Sequence, residues 1–272
     1  MEKGLVRMAQ GKIKSNSITN SEELVEYLSQ KALNHASYKF YSNREKIHNI
    51  INTHSVYLSN GQNWNDVIDK ENFNPKDSEY INFGLCLSFS KSENVAMWML
   101  YSGNDGCMVD YTKNLISDIL NTSQVSLGSF VDGSFVSKFV LERADFQIRV
   151  IDMLYYGESK NKEKYYVKRS DEVNDDFDST LIDNVTFCKK TTPWSYENEC
   201  RLIVSVKRAL IKDAGITDAA IVFSEKYIVE LLKQLYDSPN AINPAFNESR
   251  MRGKINWKLY RDCINCKNDH ET

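Results

Sequence analysis

Apolar residues recur at helical spacing in two early stretches. In "SEELVEYLSQKAL" (residues 21–33) Leu24, Leu28 and Leu33 follow an opening serine, and in "REKIHNIINTH" Ile47, Ile50 and Ile51 share one face, so both predict helices. The alternating "SYKFYSN" between them and "SVYLSN" after them predict strands. Next, the polar, turn-rich "WNDVIDKENFNPKDSEYIN" predicts a surface loop. "FGLCLSFS" then reads as a buried strand, "SENVAMWMLYS" as a helix capped by Ser92, and "GCMVDYT" as a further strand. Residues 114–148 predict a short helix with one or two strands, and "VIDMLYYGE" and "ECRLIVSVK" predict one strand each. The charged "SKNKEKYYVKRSDEVNDDFDSTLID" reads as an exposed excursion, "SEKYIVELLKQLYDS" as a capped amphipathic helix, and the chain from Pro239 onward as a mixed polar tail. Interspersed strands and helices of this kind predict an α+β fold, with an N-terminal helical segment over 1–34 and one compact domain over 35–272.

With 272 residues, 42% of them hydrophobic, the chain can bury a large core. A formal charge of −3 provides no general attraction to nucleic acid or anionic lipid, so any such partner must be argued from a local site. The chain has no apolar run long enough for a signal peptide or a membrane span, which predicts a cytoplasmic location and no membrane partner. Six scattered cysteines are expected to be reduced thiols. Cys263, Cys266 and His270 are three ligands where a closed zinc site needs four, and the acidic "DEVNDDFD" reads as a solvated loop, so no metal is expected. Neither a "GxxxxGK[ST]" nor a "GxGxxG" phosphate loop is present.

The chemistry concentrates in "TTPWSYENECRLIV". Strand alternation places Glu197, Glu199 and Arg201 on one face. Two carboxylates side by side repel unless a cation is near: either Arg201 pairs with them internally, or they meet a cationic or hydroxyl-rich substrate. A carboxylate pair suits displacement of nicotinamide from NAD, where one group steadies a developing ribose cation and the other orients or deprotonates an acceptor.

The ordered series "SYKFYSN", "REKIHNIINTH", "SVYLSN", "GLCLSFS", "SENVAMWMLYS", "GCMVDYT" and a late Glu-x-Glu entering a strand resembles the ADP-ribosyltransferase fold. The same chain resembles a widespread bacterial family marked by "Y-K-[FY]", "N-D", "M-W-x-x-Y" and "W-x-Y-E-x-E-x-R", all found between Tyr38 and Arg201. The resemblance implies a split, mixed β core with flanking helices and a cleft for NAD as co-substrate. It implies Glu199 as the main catalytic carboxylate and Glu197 as the acceptor-orienting one. Tyr38, Lys39 and Tyr41 would lie near the dinucleotide, with Ser88 and Ser90 near the nicotinamide ribose. Trp98 or Tyr101 would stack on nicotinamide, although their spacing on one helical turn equally suits core packing. Arg201 would orient Glu199, Asn65 is either a turn residue or a substrate contact, and Trp194 would help exclude water. This sequence departs from the pattern at the end of the first strand, which has no clear His or Arg.

Relatives of this kind imply a bacterial toxin or phage-defence effector that modifies a macromolecule, RNA before protein, held in check by an antitoxin or other inhibitory protein. The basic clusters "KNKEKYYVKR" and "RMRGK" could guide a polynucleotide or be ordinary surface. A metal-dependent nuclease and a non-catalytic binding module are the alternative classes.

Overall fold

The structure is a computed structural model. It describes residues 18–90, 94–102, 106–157, 164–168, 173–177, 181, 185–211 and 215–238. Ser92, the tail with Cys263, Cys266 and His270, and the cluster "RMRGK" lie outside them, as does part of "KNKEKYYVKR".

Helix α1 (Ser21–Leu33) starts where Asn20 accepts a hydrogen bond from the Glu23 amide, and it buries Leu24 and Leu28 in an apolar cluster with Ile151 and Leu154. The chain continues through β1 (Ser37–Ser42), α2 (Arg44–Thr53), β2 (Ser55–Ser59), α3 (Val67–Phe73) and β3 (Tyr80–Ser88). A short helical turn, α4 (Val95–Met97), runs into a π-turn at Trp98–Ser102 and leads to β4 (Cys107–Thr112) and α5 (Lys113–Leu120). Three strands follow, β5 (Gln124–Val131), β6 (Ser134–Glu142) and β7 (Phe146–Asp152), and then the smaller-sheet strands β8 (Leu154–Gly157), β9 (Lys164–Lys168), β10 (Val173–Phe177) and β11 (Lys189–Thr191). A 3₁₀ turn at Thr192–Glu197 leads into β12 (Glu199–Lys207), followed by α6 (Arg208–Ile211), β13 (Asp218–Val222), α7 (Glu225–Leu232) and β14 (Leu235–Asp237).

The fold is α+β, with a large antiparallel sheet flanked by helices. Strand β3 is its branch point. Strand β12 pairs with β3 along the whole of its length, and β7 continues beyond β12. The other edge of β3 is shared: β1 meets it at Ser88 and β2 meets it at Gly84. The sheet therefore forks at the residues between, where Cys86 has an exposed side chain. Most apolar side chains from both arms of the fork enter one core, including Leu58, Phe83, Val109, Leu202 and Ile221. The opposite face of β3 carries Gly84, and Phe73 of α3 packs there so closely that a Cβ on Gly84 would lie 2.7 Å from its ring.

Several sequence expectations change. The stretch from Trp64 contains α3, because Asp66 caps it by accepting from the Ile68 and Asp69 amides and Phe73 is buried. "VIDMLYYGE" spans two strands in different sheets, β7 and β8. The charged excursion includes the antiparallel pair β9 and β10. The predicted last helix stops at Leu232 and gives way to β14, and the helix holding Trp98 is capped by Asn94. Among the described residues, no helix is long and apolar enough to cross a membrane.

Candidate functional site

The two glutamates do not share a strand. Glu197 ends the 3₁₀ turn that Pro193 helps to start, Asn198 adopts a left-handed conformation (φ 45°), and only Glu199 belongs to β12. Strand alternation is thus the wrong reason for their convergence. The backbone reversal at Asn198, a residue type that tolerates this region, turns both carboxylates inward. Three hydrogen bonds fix the turn: Ser88 Oγ donates to the Glu197 carbonyl (2.6 Å), Asn94 donates to the Tyr196 carbonyl (2.6 Å), and the Phe89 amide donates to the Asn198 carbonyl (2.9 Å).

Both carboxylates meet Lys190, which sequence reasoning did not single out. Its Nζ lies 2.5 Å from Glu197 Oε2 and 2.8 Å from Glu199 Oε2. Strand β11 carries Lys190 in parallel register with Tyr155 of β8, and the Tyr155 hydroxyl accepts from the Glu199 amide (2.8 Å). Arg201 Nε donates to Glu199 Oε1 (2.5 Å) and Arg201 Nη2 donates to Asp69 Oδ2 (2.6 Å). Each cation also faces an aromatic ring, Arg201 at 4.6 Å from Trp64 and Lys190 at 5.1 Å from Trp194. The Tyr101 hydroxyl donates to Glu197 Oε1 from the π-turn. Glu197 and Glu199 are each only 2% exposed and Arg201 is fully buried, while Tyr101 is 37% exposed and forms the outer edge of the cluster.

Three carboxylates against two cations leave this cluster one negative charge in excess, and the titrations separate accordingly. Burial, reinforced by the charge of Glu199, pushes Glu197 up to about 7 against the pull of Lys190. Burial opposes the ionisation of Glu199 too, but Arg201 and Lys190 outweigh it and hold that carboxyl well below the usual range. One carboxylate is permanently charged near neutrality and its neighbour can exchange a proton, a division of roles characteristic of acid–base pairs in enzymes. Asp69 Oδ1 is buried without a hydrogen-bond partner among the described residues, so the cluster is not fully satisfied internally.

Cross-strand register sets a row beside this cluster. Lys39 of β1 lies opposite Ser88 of β3, and Ser88 lies opposite Glu199 of β12, so a cation, a hydroxyl and a carboxylate stand side by side on one face. Cys86, opposite Arg201, is on the same face at the fork. The Cys86 side chain is exposed to solvent, and desolvation by the surrounding protein, reinforced by the Glu199 charge, pushes its thiol well above the ordinary range.

The other expected site residues divide. Lys39 Nζ donates to the Ser90 carbonyl (2.6 Å), joining β1 to the end of β3. Tyr38 faces the opposite way into the core and its hydroxyl donates to the Ala32 carbonyl (2.8 Å), so it ties α1 to β1 and does not reach the fork. Trp98 is buried edge-to-face against Tyr41 at 5.1 Å, which makes both packing residues in this conformation. Asn65 is exposed on the loop before α3 and away from Arg201 and Glu199 in the hydrogen-bond network, while its neighbour Asp66 serves as the helix cap. The histidines showed no ligand spacing, yet His35 Nε2 lies 2.6 Å from buried Asp152 Oδ1 and its ring stacks on Phe89 at 3.8 Å. Among the described residues no three His, Cys, Asp or Glu side chains group as metal ligands; Lys190 and Arg201 stand between the carboxylates of the cluster.

No curated protein and no solved structure matches the chain. Residues 97–202 match a family described as a protein of unknown function (DUF2971), a span that holds Tyr101, Lys190, Glu197, Glu199 and Arg201 and leaves Lys39 and Asp69 outside.

Proposed function

We propose that this protein transfers ADP-ribose from NAD to a macromolecule, RNA before protein, at the fork of β3. The observation that carries the reading is the row Lys39, Ser88, Glu199 on three adjacent strands, beside an exposed Cys86 and a second carboxylate that titrates near neutrality. A dinucleotide needs each member: a cation for its pyrophosphate, a hydroxyl for its amide or ribose, and a charged carboxylate for its ribose.

Glu199, held ionised by Arg201, stabilises positive charge on the ribose as the bond from C1′ to the nicotinamide nitrogen breaks and nicotinamide leaves with the electron pair. The acceptor forms its new bond to C1′, and Glu197 takes the acceptor's proton and returns it to solvent. Tyr101 and Lys190 hold Glu197 in the resting arrangement, with the Lys190 ammonium between the two carboxylates where a cation is to develop. Substrate entry then requires Lys190 to yield one of these contacts. Toxin or defence roles, and restraint by an inhibitory protein, follow as expectations for such an enzyme.

Alkylation of Cys86 tests this reading. Maleimide labelling, followed on the Cys86 peptide by mass spectrometry, is expected to slow at saturating NAD, and an unchanged rate contradicts a dinucleotide site at the fork.

A second reading is favoured by the complete burial of Arg201: the cluster is a structural ion-pair network in a binding module. It predicts that Glu197→Gln and Glu199→Gln alter stability alone, with no nicotinamide released by the unmodified protein.

A further inference from the structure

At the far end of β3 and β12 from the glutamates lies a second hollow of about 240 Å³, lined by Asn60, Asn74, Lys70, Lys76 and Arg208, with Gln62 and Ile81 completing it. Three of these residues are cationic and none is acidic. Of the carboxylates near these residues in sequence, Asp69 binds Arg201 and Glu79 pairs with Lys207 at 3.7 Å, while Glu71 and Asp77 do not line the hollow. The polar floor is prearranged. Asn74 joins the loop after β2 to β3, donating to the Asn60 carbonyl (2.7 Å) and the Asn82 carbonyl (2.9 Å) and accepting from the Asn82 amide (2.7 Å). Arg208 is fixed by Nε donation to the Ser78 carbonyl (3.0 Å) and Nη2 donation to the Pro75 carbonyl (3.2 Å), leaving three of a guanidinium's five N–H groups for another acceptor. Lys70 and Lys76 make no ion pair or side-chain hydrogen bond among the described residues. Concave shape, a charged lining that is cationic throughout and an immobilised arginine together describe an anion site, and the tetrahedral, multiply accepting group that uses so many donors is phosphate.

We propose that this hollow binds a phosphate group, supplied by the backbone of a single-stranded polynucleotide. Its link to catalysis rests on the transferase reading, in which that polynucleotide is the acceptor; phosphate binding itself does not. Ile81 in this hollow and Cys86 at the fork are five residues apart on β3, about 17 Å at a strand's rise. Helix α3 connects them, since Asp69 binds Arg201 while the next residue, Lys70, lines the hollow.

The test measures binding of a fluorescent uridine oligoribonucleotide to the full chain without NAD, across a salt series, with pyrophosphate as competitor. Lys70→Gln/Lys76→Gln is the variant, because neither side chain supports the fold, and unchanged thermal melting checks this. The expected result is binding by the unmodified chain that pyrophosphate displaces, with a slope of log affinity against log salt reduced by about 1.4 in the variant, roughly 0.7 for each lost phosphate contact. Binding of pyrophosphate alone, lost in the variant, keeps the phosphate site and overturns the polynucleotide as its source. Binding identical in the variant, or no binding of either ligand, overturns the site. Because NAD is absent, a failed transferase assay leaves these outcomes unaffected.

Discussion

Lys190 Nζ is shared between Glu197 at 2.5 Å and Glu199 at 2.8 Å, so a single ammonium reconciles two buried carboxylates that would otherwise repel. It lies on a three-residue strand and stacks on Trp194, and its own charge is stabilised because the two glutamates outweigh the burial that disfavours it.

Replacing Lys190 by Met keeps the aliphatic length and removes the charge. The two glutamates lose their common partner, and the protein is expected to lose about 3–5 kcal/mol, the usual consequence of stranding buried charge. Urea unfolding at pH 7 and at pH 5 measures this. The loss should be smaller at pH 5, where Glu197 is protonated; equal losses would show that Glu197 does not change protonation between the two pH values.

The raised titration of Glu197 has a definite sign. Its folded value, about 7, exceeds its ordinary value, so its contribution to stability is complete below pH 4.5 and is lost as pH rises through 7. Glu199 is the reverse: its depressed value contributes stability above pH 4.5 that is lost as pH falls below it. As a base, Glu197 must be ionised, so nicotinamide release should rise with pH through about 7, and Glu197→Gln should abolish that inflection. A flat profile in the unmodified protein would exclude Glu197 as the proton acceptor.

His35→Ala removes the partner of buried Asp152 together with the ring on Phe89. Burial already raises Asp152 while His35 pulls it down, so the variant should raise it further and lower stability by about 3 kcal/mol. Denaturant midpoints for His35→Ala against His35→Asn check this, with Asn expected to recover part of the loss.

Gly84→Ala should destabilise by about 1–3 kcal/mol, because its methyl group meets the Phe73 ring at 2.7 Å. Since α3 also carries Asp69, the displacement should reach Arg201, and Phe73→Leu in the same chain should restore stability. Absence of rescue would place the strain elsewhere.

The elements legible in the sequence were those with a long periodic face or a clear cap. Helix α2 announces itself through Ile47, Ile50 and Ile51, and β12 through an unbroken run of strand formers. The late Glu-x-Glu was visible as chemistry, but its geometry was not, since the left-handed Asn198 breaks the alternation that seemed to align it. Lys190 was hidden because three residues carry no periodicity, and Asp69 because α3 is short and set among Asn, Asp and Pro that signal turns. Their meeting is tertiary, produced by β11 on β8 and by Phe73 seated on Gly84, and no local pattern encodes it. The fork itself depends on two single-residue pairings of β3, at Ser88 and Gly84.

The most direct measurement of the central claim is release of free nicotinamide from NAD, quantified by chromatography alongside transfer of labelled ADP-ribose to nuclease- or protease-sensitive material in a lysate. The purified protein is expected to release nicotinamide and label a nuclease-sensitive polymer, while Glu199→Gln, folded by its circular dichroism, does neither; should Glu199→Gln not fold, Glu197→Gln, which replaces a carboxyl that is neutral below pH 7, carries the comparison. No nicotinamide and no labelled polymer from the unmodified chain would contradict the claim.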